Sequence, residues 1–111
     1  MRLKQTPYLK LFCRCLRSEA ALRRYAELLD MPPFLALGRI AVKIIVDQYT
    51  KNGDVVAITP HRVRSLVESC NGDRRHVRLV ARAVKRYLRE LGIFPVFNNY
   101  VYKLADLAKI H

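Results

Sequence analysis

The sequence has no tryptophan and only four glycines in 111 residues, and it is poor in acids, with nine Asp and Glu against 21 Lys and Arg. The glycines are never gathered into a phosphate-cradling loop. No apolar run approaches the roughly 18 residues needed to cross a bilayer, so no membrane partner is expected. The basic opening MRLKQTPYLKLFCRCLRS lacks an acid before Glu19, as a transit peptide would. Lys10 and Arg14 break any signal-peptide apolar region, and an amphipathic helix is the simpler account. Three cysteines, Cys13, Cys15 and Cys70, are too few and of the wrong parity for a secreted disulfide framework. They fit a reducing compartment, and a cytoplasmic or nucleoid-associated protein is expected.

Catalytic constellations are also missing. His61, His76 and His111 are scattered, and there is no carboxylate pair or nucleophile elbow, so no enzyme is expected. Cys13, Cys15, Cys70 and His76 match no zinc spacing, and neither metal nor cofactor is expected.

What the chain has in excess is positive charge: +12, with an isoelectric point near 10.2. Such a balance points to nucleic acid, an anionic surface or an acidic protein as partner. The hydrophobic fraction of 51% and the length suffice for about one folded domain with its own core.

Two places break the chain: Met31-Pro32-Pro33, and the stretch from Lys51 to Pro60. Residues 1–31 form an N-terminal helical extension and 34–111 the main unit. In the extension, Leu9, Phe12, Cys13 and Leu16 lie at helical spacing over 7–17. Ser18 caps a second helix with the stripe Ala21, Leu22, Tyr25, Leu28 and Leu29. The main unit begins with a helix over 34–51, stopped by Gly53, then a short strand over 54–58. Thr59-Pro60 starts a helix over 60–70 that ends at Asn71-Gly72. Asp73 caps a helix over 74–91, stopped by Gly92. IFPVF and YVYKL around Asn98-Asn99 predict a hairpin over 93–104, with Pro95 on an edge.

The helix DRRHVRLVARAVKRYLRELG is the distinctive segment. At roughly 100° per residue, Val77, Val80, Ala81, Val84, Tyr87, Leu88 and Leu91 fall within about 120° of one another, a core-facing stripe. Arg74, Arg75, Arg78, Arg82, Lys85, Arg86 and Arg89 form a second stripe about 140° away by the same construction. Like charges four residues apart repel by a few tenths of a kcal/mol per pair. A face kept only for solvation alternates signs, whereas here only Asp73 and Glu90 oppose the ridge.

The order helix, short strand, helix, tight turn, helix, hairpin over 34–104 resembles the winged-helix family. The resemblance implies a mainly α fold with a small β-hairpin wing, a winged helix-turn-helix preceded by the extension. It implies that 60–70 braces and 74–91 enters the DNA major groove, with Arg74, Arg75, Arg78 and Arg82 toward base edges. Lys85, Arg86 and Arg89 would then meet phosphates, and His61, Arg62 and Arg64 would hold a phosphate near the start of the bracing helix. The wing would offer Asn98, Asn99 and Lys103; its tip FNNY carries no cation, a departure from the family pattern. Tyr100 and Tyr102 share one strand face, a stacking surface if that face is open. The expected function is duplex DNA binding in transcription regulation or DNA architecture. A structural RNA-binding component of a ribonucleoprotein such as the ribosome is the alternative, and a module docking an acidic protein is the third. The two N-terminal stripes either pack on the main unit or pair two chains, and a homodimer through them is the expectation.

Overall fold

The computed structural model describes residues 3–50 and 53–110. Lys51, the end of the expected 34–51 helix, and His111 lie outside them. In chain order the elements are α1 (Pro7–Arg17), α2 (Glu19–Leu29), α3 (Pro33–Tyr49), β1 (Val55–Ala57), α4 (Pro60–Glu68), α5 (Arg74–Glu90), β2 (Val101–Lys103) and α6 (Leu104–Leu107). The fold is mainly helical with one small two-stranded antiparallel sheet.

The helix starts follow from local chemistry. The hydroxyls of Thr6, Ser18 and Thr59 accept from the backbone N–H groups of Leu9, Ala21 and Arg62 at 3.1, 3.2 and 3.2 Å. Each satisfies a donor that the first helical turn leaves unpaired. Asp30 closes α2 in the left-handed region at φ 53°, and Pro32-Pro33 prevents continuation. Gly92, at φ 73°, lets the Ile93 N–H turn back to the Leu88 carbonyl and end α5.

α3 is the element against which α1, α2, α4 and α5 all pack. Leu37, Ile40, Ala41, Val42, Ile44 and Ile45 are buried, so the helix is covered on nearly every side. Its closest neighbour is α5. A Cβ placed on Gly38 would run into the Ala83 carbonyl oxygen, so only glycine lets the two backbones approach this closely. Arg39, one position on, is 8% exposed, and its guanidinium donates to the Tyr25 hydroxyl at 2.9 Å.

The extension belongs to this same core. Leu9, Phe12, Cys13, Tyr25 and Ala26 are buried with residues of α3, α4 and α5 in one cluster. Of the stripes behind the expectation of a homodimer, Leu9, Phe12, Cys13 and Tyr25 are buried, and Leu16, Leu22 and Leu29 are half-buried against the same core. Leu28 is the exception: it is 82% exposed, because α2 turns Tyr25 and Ala26 inward and leaves Leu28 on its outer side.

The cysteine expectation is overturned. Cys13 and Cys70 form a disulfide across a sequence separation of 57, with Cα atoms 5.1 Å apart, and Cys15 remains free and buried. Spacing could not reveal this, because the pair meets only where the inner face of α1 crosses the end of α4. The argument for a reducing compartment falls with it. The disulfide also breaks up the group formed by Cys13, Cys15, Cys70 and His76. Among the described residues no helix is long and apolar enough to cross a membrane.

The hairpin differs in detail from the expectation. Asn98 and Asn99 do form its turn, at φ 39° and 69°, and the Val96 N–H donates to the Val101 carbonyl at 2.8 Å. The first limb makes a single bridge, Phe97 to Val101, and Pro95 removes a ladder donor there. The regular pairing is between the second limb and the earlier strand: Val55 with Lys103, Val56 with Tyr102, Ala57 with Val101. Leu104, the final residue of the expected limb, starts α6 instead.

Candidate nucleic-acid interface

α5 is a two-faced helix. Val80, Ala83, Val84, Tyr87 and Leu88 are buried, while Arg74, Arg75, Arg78, Arg82, Lys85, Arg86 and Arg89 are exposed. The core face is rotated slightly from the expected stripe. Ala83 joins it at the contact with Gly38, Val77 and Ala81 are half-buried, and Leu91, beyond the helix end, is exposed.

Two acids touch the ridge, one at each end. Arg75 pairs with Asp73 at 3.3 Å and Arg86 with Glu90 at 3.2 Å, both in solvent, where such pairs contribute little. Among the described residues, Arg74, Arg78, Arg82, Lys85 and Arg89 have no acidic side chain within 4 Å. The middle of the helix is therefore an uncompensated cationic strip in water.

Asp73 and His76 hold the first turn. The Asp73 carboxylate accepts from the N–H groups of Arg75 and His76 at 2.9 and 3.2 Å, while His76 Nδ1 accepts from the Asp73 N–H at 3.1 Å. This is a capping box with histidine in the place usually taken by Glu or Gln. The backbone N–H of His76, followed by the Arg75 side chain and N–H, holds the Asp73 carboxyl below its ordinary range. His76 thus has a local structural task.

The residues expected on α4 divide. His61 and Arg64 are exposed, and Arg64 lines an open concavity of about 600 Å³ with Glu68, Gly72, Asp73, Arg74, Val77 and Arg78. Arg62 is turned inward. Its guanidinium donates to the Ala57 carbonyl at 2.6 Å and lies over the Tyr49 ring at 4.2 Å, so it ties α4 to β1 and α3. Of the three residues expected to hold a phosphate, Arg62 is thus the half-buried one.

The hairpin stands beside the ridge. Lys85 Nζ lies over the Tyr100 ring at 5.5 Å. Asn98, Asn99 and Lys103 are exposed. Tyr102 is buried, so the face it shares with Tyr100 is closed to stacking. Burial pushes the Tyr102 phenol up in pKa, opposed by the nearby Arg89 charge. The aromatic side chains left outside belong to the other limb: Phe94 and Phe97 are 59% and 68% exposed. The sequence signal for them was Pro95, which makes the alternation of that limb irregular.

A second group of cations went unread in the sequence. Lys10, Arg14 and Arg17 are exposed at spacings of four and three on α1, with the buried Phe12 on the far side of the helix and Cys13 beside them. They line an open concavity of about 450 Å³ together with Ser69, Cys70 and Asn71. The spacing was visible, but nothing in the sequence brought α1 beside the α4–α5 turn. Comparison with family models, with curated proteins and with solved structures finds no match for this chain.

Proposed function

We propose that this chain is a non-enzymatic nucleic-acid-binding protein of winged-helix build that lays α5 in the major groove of duplex DNA, in a regulatory or architectural role. One observation carries the reading: seven exposed cations run along one face of a 17-residue helix whose opposite face is buried. Holding like charges together with acids only at the two ends is unfavourable in the free protein, and a polyanion relieves the repulsion. The element order supports the winged-helix assignment. α4 braces α5 across a tight turn, and β1 pairs with the second limb of the hairpin after α5. In this arrangement Arg74, Arg75, Arg78 and Arg82 approach base edges, where a guanidinium fork suits guanine O6 and N7. Lys85, Arg86 and Arg89 meet phosphates, joined by Arg64 and His61 from α4. The hairpin offers Asn98, Asn99 and Lys103. A site of action in the cytoplasm or nucleoid goes with such a partner and no longer draws on the cysteines.

A second reading, a structural RNA-binding component, is favoured by the exposed Phe94 and Phe97. They present ring faces to which unpaired bases stack, on a hairpin whose tip has no cation.

Binding of a mixed-sequence duplex, a single strand and a structured RNA, each at several salt concentrations, tests both. With about six phosphate contacts on the duplex, log K falls with log salt at a slope near −5. Arg78→Ala flattens the preference among duplex sequences, and Arg89→Ala weakens all duplexes alike. Preference for structured RNA, with neither substitution changing sequence order, selects the second reading. Binding only to an acidic protein, with a slope shallower than about −2 on every nucleic acid, overturns both.

A further inference from the structure

We infer that α1 is a second contact surface for the backbone of the same nucleic acid, carried by Lys10, Arg14 and Arg17 and fastened to the α4–α5 turn by the Cys13–Cys70 disulfide. The inference rests on the proposed function and extends it to an element outside the winged-helix unit.

Three observations support it. First, Lys10, Arg14 and Arg17 share one exposed helical face, and among the described residues none has an acidic side chain within 4 Å. Arg17 Nε donates to the Cys13 carbonyl at 3.3 Å, which holds its stem along the helix and leaves the rest of the fork to solvent. Second, this face does not stand apart from the ridge. Ser69, Cys70 and Asn71 form the far wall of the α1 concavity, while Glu68 and Gly72, their immediate neighbours, line the concavity that holds Arg64, Arg74 and Arg78. The two basic surfaces therefore meet across the α4–α5 turn. Third, the disulfide joins α1 to Cys70, inside that turn, so α1 is covalently held where the two surfaces meet. The open wall supplies the Asn71 amide beside the cations, while the Ser69 hydroxyl donates its proton to the Ser65 carbonyl at 2.8 Å. Guanidinium and ammonium groups with an amide neighbour are the chemistry that positions a phosphodiester backbone and carries no sequence information. A duplex with α5 in its groove has its flanking phosphates on either side of that groove, and α1 is the cationic element beside the entering end of α5.

The test is the salt slope of duplex binding by the intact chain. The variants are K10Q/R14Q/R17Q on α1, R82Q/K85Q/R86Q on the ridge, and R23Q/R24Q/K109Q, which removes three exposed cations that line neither concavity. Each lost phosphate contact makes the slope shallower by about 1. The α1 variant is expected to flatten the slope by about 3, with sequence preference unchanged, and the control to leave it within about 1. Circular dichroism and melting of each variant establish that the fold is retained; Arg14→Gln alone, shifting the slope by about 1, serves if the triple variant is unfolded. An α1 variant that behaves like the control while the ridge variant flattens the slope overturns this inference alone. A ridge variant that leaves the slope unchanged overturns the proposed function and this inference together.

Discussion

Single residues decide how closely the helices of this protein can approach. Gly38 is the clearest case, because the obstacle to any side chain there is the Ala83 backbone carbonyl, which cannot swing aside. Gly38→Ala should destabilise the protein by about 2 kcal/mol, since overpacking outweighs the better helix propensity of alanine. Urea unfolding measures the loss, and an unchanged midpoint would mean that α3 and α5 are further apart than described. Arg39 is the other buried decision. Its bond to the Tyr25 hydroxyl is made to a charged group inside the core. Tyr25→Phe removes that acceptor and should lower stability by about 1.5–3 kcal/mol, read in the same denaturation. The free thiol of Cys15 is raised in pKa by burial, offset in part by Arg14, so it should react slowly with thiol reagents in the folded chain.

At the scale of elements, α5 keeps its buried face apart from its charged face. Val84→Asp places an unpaired charge among buried side chains and should unfold the chain, whereas Arg82→Gln should leave thermal stability within about 0.5 kcal/mol. The two melting curves decide whether the faces are assigned correctly. The start of α5 carries the acid sensitivity. The Asp73 carboxyl lies below its ordinary value of 3.8 in the folded chain, so it adds stability above that value and loses it as pH falls through the lowered one. Asp73→Asn keeps an acceptor for the cap without the titration. The advantage of the native chain over this variant, measured by melting at each pH, should be present at pH 6 and shrink below about 4.

The whole molecule is held by its fold and by one covalent tie between distant parts of the chain. The Cα radius of gyration is 13.0 Å, close to that of a single compact unit of this length. α1 and α2 contribute to its core as fully as the elements that follow Pro33. The Cys13–Cys70 bond spans 57 positions. On the chain-entropy argument it stabilises the folded state by about 4 kcal/mol. A reductant, or Cys70→Ser, should therefore lower the melting temperature by on the order of 15 °C. Equal melting with and without reductant would show that the cross-link contributes nothing to stability.

How much of this was legible in the chain depends on the range of the interaction concerned. Ser18, Thr59 and Asp73 mark helix starts because a short polar side chain meets N–H groups only two or three residues away. Asn98-Asn99 marks a turn because both residues tolerate positive φ. The two faces of α5 follow from periodicity alone, since one helix places residues of each kind at fixed angles. Tertiary packing decided the rest. It paired β1 with the limb after the turn, closed Tyr102 inside, and drew Arg62 onto Tyr49 and the Ala57 carbonyl. It also brought Cys13 to Cys70 and set Lys10, Arg14 and Arg17 beside the α4–α5 turn. None of these has a local signature, because each joins elements whose separation in sequence carries no information about their distance in space. The sequence by itself determined that α5 has one face for the core and one of cations; only the joining of α1 to the α4–α5 turn decided which further cations stand beside it.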